Sequence, residues 1–301
     1  MGLFLNEKGF FLLLLLRACK PKPQENTPFD LLPSNESFCY DLQKKNFRPM
    51  PLYKTQAIVI RSIPYGEVDK IVTLYTLDFG KVKGIAKGAK RSRKRFGNTL
   101  EICSHVDLSF FEKETADLVR LTHCDLIHSF NGLREDIRKL ASASYFIELV
   151  NELTADKMRS RRLFELLVVF LDTIDRGILK EEIERVFEVR LLALLGYQPL
   201  LDHCLRCKKG LAGGKIFFSV REGGTLCPSC AVHLPGLAPV SLGTIKTLLL
   251  AQRISLEKVG RVSFSAQSLQ ESKTILSLFL EQYLRKDLKS KKFLEQFAPS
   301  A

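Results

Sequence analysis

The sequence predicts an α+β protein in which a small antiparallel barrel precedes a helical domain, and three observations carry that expectation. Period-two alternation dominates from Thr55 to Ile127, helical spacing takes over after Asn131-Gly132, and a Cys- and Gly-rich stretch interrupts the helices at 202–235. The chain has 301 residues, is 46% hydrophobic and 26% charged, and carries a formal charge of +13. That composition suits globular units with their own cores and argues against disorder throughout. The longest apolar run, Phe10 to Leu16, is too short to span a bilayer, so an integral membrane protein and a membrane partner are not expected. The excess of positive charge points to polyanionic partners.

Residues 1–49 stand apart, with an apolar stretch followed by Pro21, Pro23, Pro28 and Pro33 among polar residues and no regular period. Lys8, the apolar run and Cys19 resemble an export signal, but Arg17 sits where small or apolar residues precede a lipidated cysteine. The segment reads as an upstream extension or disordered tail, with translation starting at Met50.

From Met50 the strands follow in order. Thr55, Ala57 and Val59 alternate with Gln56, Ile58 and Ile60 up to Pro64-Tyr65-Gly66. Further strand-like runs cover Lys70–Leu77, Gly80–Ala86, His105–Phe111 and Ala116–Ile127, with breaks at Asp78-Phe79-Gly80, at 87–98 and at Glu112–Thr115. Five short strands in about eighty residues suggest an OB-fold barrel over 50–131.

The helical domain is expected over 132–301. Leu133, Ile137, Leu140, Ser144 and Ile147 form an apolar stripe; Arg162–Asp175 and Glu181–Leu195 follow, the first apolar nearly all round and therefore buried. Gly196 and Pro199 end the second of these. After the Cys-rich stretch, helices are expected at Ser241–Arg253 and Ala266–Lys289. The last presents Ile275, Leu276, Phe279, Tyr283 and Leu284, with a basic tail of Arg285, Lys286, Lys289, Lys291 and Lys292.

Of eight cysteines, Cys19, Cys39, Cys103 and Cys124 lie far apart, whereas Cys204, Cys207, Cys227 and Cys230 form two C-x2-C pairs separated by nineteen residues. Such clustering fits metal binding in a reducing cytoplasm better than a disulfide framework. Two tight turns each aiming two sulfurs at one ion make a closed four-thiolate shell, which identifies one structural Zn2+ rather than a catalytic one. Nucleobase deaminases need a His-x-Glu beside such a Cys pair. Here His105, His123, His128, His203 and His233 are followed two places on by Asp107, Asp125, Phe130, Leu205 and Pro235. His203 and His233 read as surface histidines, and a redox Cys pair fits poorly beside a second pair at ribbon spacing.

Lys81, Lys83, Lys87, Lys90, Arg91, Arg93, Lys94 and Arg95 place eight cations in fifteen residues with no acid among them. Such a run is either a solvated loop or a polyanion contact; its emergence from a barrel strand favours single-stranded nucleic acid. Gly84, Gly88 and Gly97 would admit phosphate close to the backbone, and Phe96 and Tyr65 are candidates for base stacking. No recognition-helix pattern appears, so phosphate contacts without sequence preference are expected. A P-loop, a nucleophile elbow and a His-Glu-x-x-His helix are all missing from the sequence, so no enzymatic activity is expected.

The run from Thr55 to Thr76, followed by Gly80-Lys-Val-Lys-Gly-Ile-Ala-Lys-Gly-Ala-Lys-Arg-Ser92, resembles the start of the bacterial RecO family of recombination mediators. Leu194-Leu-Gly-Tyr-Gln-Pro-Leu-Leu-Asp-His-Cys204-Leu-Arg-Cys207 and Cys227-Pro-Ser-Cys230 resemble that family's entry into its zinc module. The resemblance implies a non-enzymatic, cytoplasmic and nucleoid-associated protein that binds single- and double-stranded DNA and anneals complementary strands. It further implies that, with RecR, the protein helps RecA displace single-strand-binding protein during recombinational repair. Zinc cysteines are not universal in that family; this chain has all four. The competing reading is a zinc-ribbon scaffold for protein partners with incidental DNA affinity.

Overall fold

The computed structural model describes residues 51–112, 117–211 and 215–297. The expectations for 1–49, including Cys19 and Cys39, and for parts of the turn after Glu112 lie outside them. Residues Met50–Ala301 make up one compact unit.

Five strands, β1 (Leu52–Tyr65), β2 (Asp69–Thr76), β3 (Gly80–Ala86), β4 (His105–Phe111) and β5 (Val119–His128), close in the order β1-β2-β3-β5-β4. β1 is long enough to pair with β2 through one half and with β4 through the other. A bulge between Val59 and Arg61 bends it between the two pairings. β3 and β5 run parallel, and this pairing seals the ring in the OB-fold manner. Gly84 is needed at that seam, since a Cβ there would meet Val119 at 2.8 Å and Leu121 at 2.7 Å. It therefore serves barrel closure, not the approach of a phosphate.

The alternation in β1 has an unexpected use. Ala57 and Val59 point into the barrel core with Leu74, Val106 and Leu108, while Ile58 and Ile60 point out into the helical core. Tyr75 of β2 joins them there and donates its hydroxyl to the Met158 carbonyl at 3.3 Å. Barrel and helices therefore share a core, which is why Ala57–Ile60 reads as a continuous apolar run.

The helical body comprises α1 (Ile137–Leu153), α2 (Arg161–Asp175), α3 (Glu181–Leu194), α4 (Leu242–Arg253), α5 (Ala266–Glu281) and α6 (Lys289–Glu295). Leu133 belongs to a separate turn, Gly132–Glu135, because Asp136 starts α1 afresh by accepting the Arg138 N–H at 2.8 Å. Of the expected stripe, Leu133 and Ile147 are buried and Leu140 and Ser144 half-buried. Ile137 is exposed, and the buried face carries Tyr145, Phe146, Leu149 and Val150, with Phe146 stacked on Phe187 of α3 at 4.1 Å. α2 is buried as its composition predicts. α3 ends at a Schellman turn, with Gly196 at φ +82° and the Tyr197 N–H bonded to the Leu192 carbonyl at 2.8 Å.

The helix expected over Ala266–Lys289 stops short at Glu281, and a further helix, α6, begins at Lys289, where the Glu148 carboxylate of α1 accepts the Lys289 and Ser290 N–H groups. A carboxylate 141 residues upstream leaves no local signal of that start. Three members of the basic tail, Lys286, Lys291 and Lys292, form ion pairs with Glu152, Glu281 and Asp287.

Candidate nucleic-acid interface and metal centre

Between α3 and α4 the chain forms a three-stranded sheet, β6 (Ile216–Ser219), β7 (Gly224–Leu226) and β8 (Leu237–Val240), in the order β7-β6-β8. It is a two-sided wall. Ile216, Phe218, Ala238 and Val240 join the helical core, while Phe217, Leu226 and Leu237 face the cysteines. On the cysteine side the fully buried set is Cys204, Leu226 and Ala231, too little apolar surface to hold a fold by itself.

The four predicted cysteines converge there, their sulfurs all within 4.8 Å of one another. Cys207 Sγ and Cys227 Sγ are 3.8 Å apart, far beyond a disulfide and equal to the edge of a tetrahedron with Zn–S bonds of about 2.3 Å, which is about 3.8 Å. The first turn is closed by Cys204 N–H to Lys209 O and Lys208 N–H to Cys204 O, both 2.9 Å, with Lys208 in the left-handed region at φ +61°. The second is a single helical turn, Pro228–Ala231, begun by Pro228. Backbone N–H groups donate to sulfur and stabilise its thiolate, Cys227 N at 3.4 Å from Cys204 Sγ. Burial would raise the Cys204 thiol, but N–H donors from Cys207, Cys227 and Arg206 outweigh it and pull it down to about 6. Cys230, hydrogen-bonded to Cys227 among the neighbouring sulfurs, is pushed up to about 12. Four soft donors at these separations fit a divalent ion that deprotonates thiols on binding, with no position left for water.

His203 and His233 are outside the cluster; His203 instead pairs with Asp202 at 2.7 Å. Sequence reading missed Arg206, which sits between two ligand cysteines and bridges to Glu222 at 2.8 Å, tying the first turn to the β6–β7 turn.

The predicted cationic residues divide in two. Lys81 is spent inside the protein: its ammonium donates to the carbonyls of Asn151 at 2.9 Å and Thr154 at 2.7 Å, with Asp156 at 3.4 Å. It fastens β3 to the C-terminus of α1, where a cation also complements the helix dipole, and so leaves the set of nucleic-acid contacts. Among the described residues none of the other seven, Lys83, Lys87, Lys90, Arg91, Arg93, Lys94 and Arg95, is ion-paired.

Six of these seven sit on a built platform. Gly88, at φ +68°, donates its N–H to Asp69 at 2.7 Å, and Lys90 N–H reaches the Val68 carbonyl at 3.0 Å. A helical turn, Arg93–Phe96, follows. Phe96, a candidate for base stacking, is instead 1% exposed and plugs the barrel with Ala89 and Leu100. An apolar ring at that position gains more from the core than from solvent. Arg95 lies over the Phe96 ring at 5.2 Å and donates to the Lys87 carbonyl at 3.0 Å, bracing the loop. Lys87, Lys90, Arg91, Arg93 and Lys94 are exposed, as is Tyr65 across the adjacent turn.

A closed OB barrel bearing a cationic loop, fused through one core to helices that carry a four-thiol module, defines an OB-fold protein with an inserted four-cysteine cluster able to hold a metal ion. Sequence comparison resolves the family within that class. Residues 50–130 match the family "Recombination protein O N terminal" and residues 134–292 match "Recombination protein O C terminal", so the chain belongs to the RecO family of DNA repair and recombination proteins. A DNA repair protein RecO from Syntrophus aciditrophicus is 42% identical over 247 residues, covering 81% of this chain and 95% of the relative. Relatives of the same name from Geobacter metallireducens and Anaeromyxobacter sp. strain K are 37% and 36% identical, each covering over 80% of this chain and 98% of its own. Among the described residues no helix is long and apolar enough to cross a membrane.

Proposed function

We propose that this chain is a recombination mediator that grips single- and double-stranded DNA electrostatically and performs no bond-breaking step. The observation that carries the reading is the unpaired cationic loop, held outward from the barrel by Ala89, Phe96 and Leu100. Phosphate charge neutralised along such a surface removes the repulsion between two strands, and complementary strands held side by side anneal by their own pairing. In the cell the chain acts with RecR to help RecA displace single-strand-binding protein, in the cytoplasm at the nucleoid. Cys204, Cys207, Cys227 and Cys230 hold one Zn2+ that supplies folding free energy and no reactive water.

A salt titration of oligonucleotide binding tests the reading. Each phosphate contact contributes about 0.7 to the slope of log affinity against log salt on single strands. Neutralising Lys87, Lys90, Arg91, Arg93 and Lys94 together is expected to flatten the slope by up to about 3.5 and to abolish annealing. An unchanged slope with annealing intact would remove the loop from the working surface and favour the protein-scaffold alternative.

A further inference from the structure

Tyr197 and Tyr283 form a stacked pair, with centroids 4.2 Å apart and 25° between planes. Tyr197 directly follows the Gly196 that ends α3 and is 39% exposed; Tyr283 lies just past α5 and is half-buried. The pair is the outer end of an aromatic ladder. Tyr283 meets Phe279 edge-on at 5.3 Å, and Phe279 meets Phe218 of β6 at 5.7 Å, both phenylalanines being buried. The backbone beyond Tyr197 is stitched to the thiol module by Leu200 N–H to Gly223 O and Thr225 N–H to Leu200 O, each 3.0 Å. One ring of the pair is therefore braced from behind while the other is partly exposed, so little freedom is left to lose when a flat ligand lands on it.

The pair borders a groove of about 500 Å³ lined also by Arg285, by Lys81 with its partner Asp156, and by Glu152 at the end of α1, which pairs with Lys286. Arg285 is exposed and, among the described residues, has no carboxylate partner. The groove lies at the Gly80 end of β3, and the cationic loop leaves the Ala86 end; seven residues of strand separate the two by about 20 Å. One strand thus links a phosphate-binding loop to an aromatic face with a guanidinium beside it.

We propose that Tyr197, backed by Tyr283 and flanked by Arg285, is a base-stacking subsite for single-stranded nucleic acid. It rests on the DNA-binding reading above and deepens it. Every base offers a π-face, so the subsite is tolerant of sequence, but a duplex keeps those faces covered by its own stacking. The platform therefore adds affinity for single strands alone, whereas the cationic loop serves both forms.

The test compares the full chain with Tyr197→Ala and Tyr197→Phe, measuring binding to an oligodeoxythymidylate and to a blunt duplex of equal length. With seven tyrosines and no tryptophan, the protein's own tyrosine emission reports stacking. Tyr197→Ala is expected to bind the single strand about fivefold or more weakly, bind the duplex unchanged, and lose part of the emission quenching; Tyr197→Phe keeps single-strand affinity. Unchanged single-strand affinity in Tyr197→Ala, or an equal loss toward duplex, overturns the subsite while leaving the DNA-binding reading standing. Failure of the wild-type chain to bind either oligonucleotide overturns both.

Discussion

The Lys81 ammonium lies 2.7 Å from the Thr154 carbonyl oxygen, so the first cation of a run that looks uniformly available to a polyanion is instead a bolt between barrel and helices. Lys81→Met should cost about 1–3 kcal/mol of stability, because the Asn151 and Thr154 carbonyls lose a buried donor. The salt slope of DNA binding should not move. Chemical denaturation alongside a salt titration separates the two effects, and a shallower slope at full stability would return Lys81 to the binding surface.

Phe96 is the matching case among the aromatics. With the ring packed in the barrel core, Phe96→Ala is expected to cost about 3–5 kcal/mol and to weaken DNA binding only through collapse of the loop above it. Phe96→Leu retains most of the volume and should keep both properties. Loss of affinity in a Phe96→Leu variant of wild-type stability would show that the ring itself touches DNA.

For the thiol module, the small apolar set around Cys204 and Leu226 leaves the proposed metal as the expected main source of its stability. Cys227→Ser should lower the bound zinc from one equivalent toward zero and reduce the melting temperature. Chelation of the wild-type chain should do the same. Melting that is indifferent to chelator would rule out a structural ion held by these sulfurs.

A buried polar cluster supplies a pH dependence. Arg185 pairs with Glu188 at 2.9 Å and Glu184 at 3.4 Å; Tyr145 donates to Glu188 and Ser142 to Glu184. Burial, with Glu188 alongside, raises Glu184 from 4.5 to about 7 against the pull of Arg185 and Ser142. The folded state then binds this proton more tightly than the unfolded chain does. Its contribution is fully present below about pH 4.5 and is lost as pH rises through about 7, a change on the order of 1–3 kcal/mol. Glu184→Gln should flatten the stability profile between those limits; a profile identical to wild type would place the titration elsewhere.

Much of the fold is legible in the sequence where the signal is local. β3 and β4 fall on their predicted bounds because alternation and turn residues sit side by side in the chain, and the four cysteines converge because two-residue spacing dictates a knuckle. What escapes is set by distant partners. Glu148 starts α6, a helix beyond the end of the one expected, and the Thr154 carbonyl claims Lys81. Phe96 reads as a surface aromatic among seven exposed or braced cations, yet the open end of the barrel needs a plug. Tyr197 carries only a weak signal, an aromatic directly after a helix-ending glycine; its stacking partner lies 86 positions later in the chain.

β1 gives one side chain set to the barrel and the next to the helices, and that sharing fixes how the chain can be divided. Cutting after residue 131 would strip cover from Ile58, Ile60 and Tyr75 and leave a greasy stripe on an otherwise cationic module. The two parts are therefore expected to melt as one: a graft of either onto another scaffold must bring its counterpart or rebuild that stripe in polar residues.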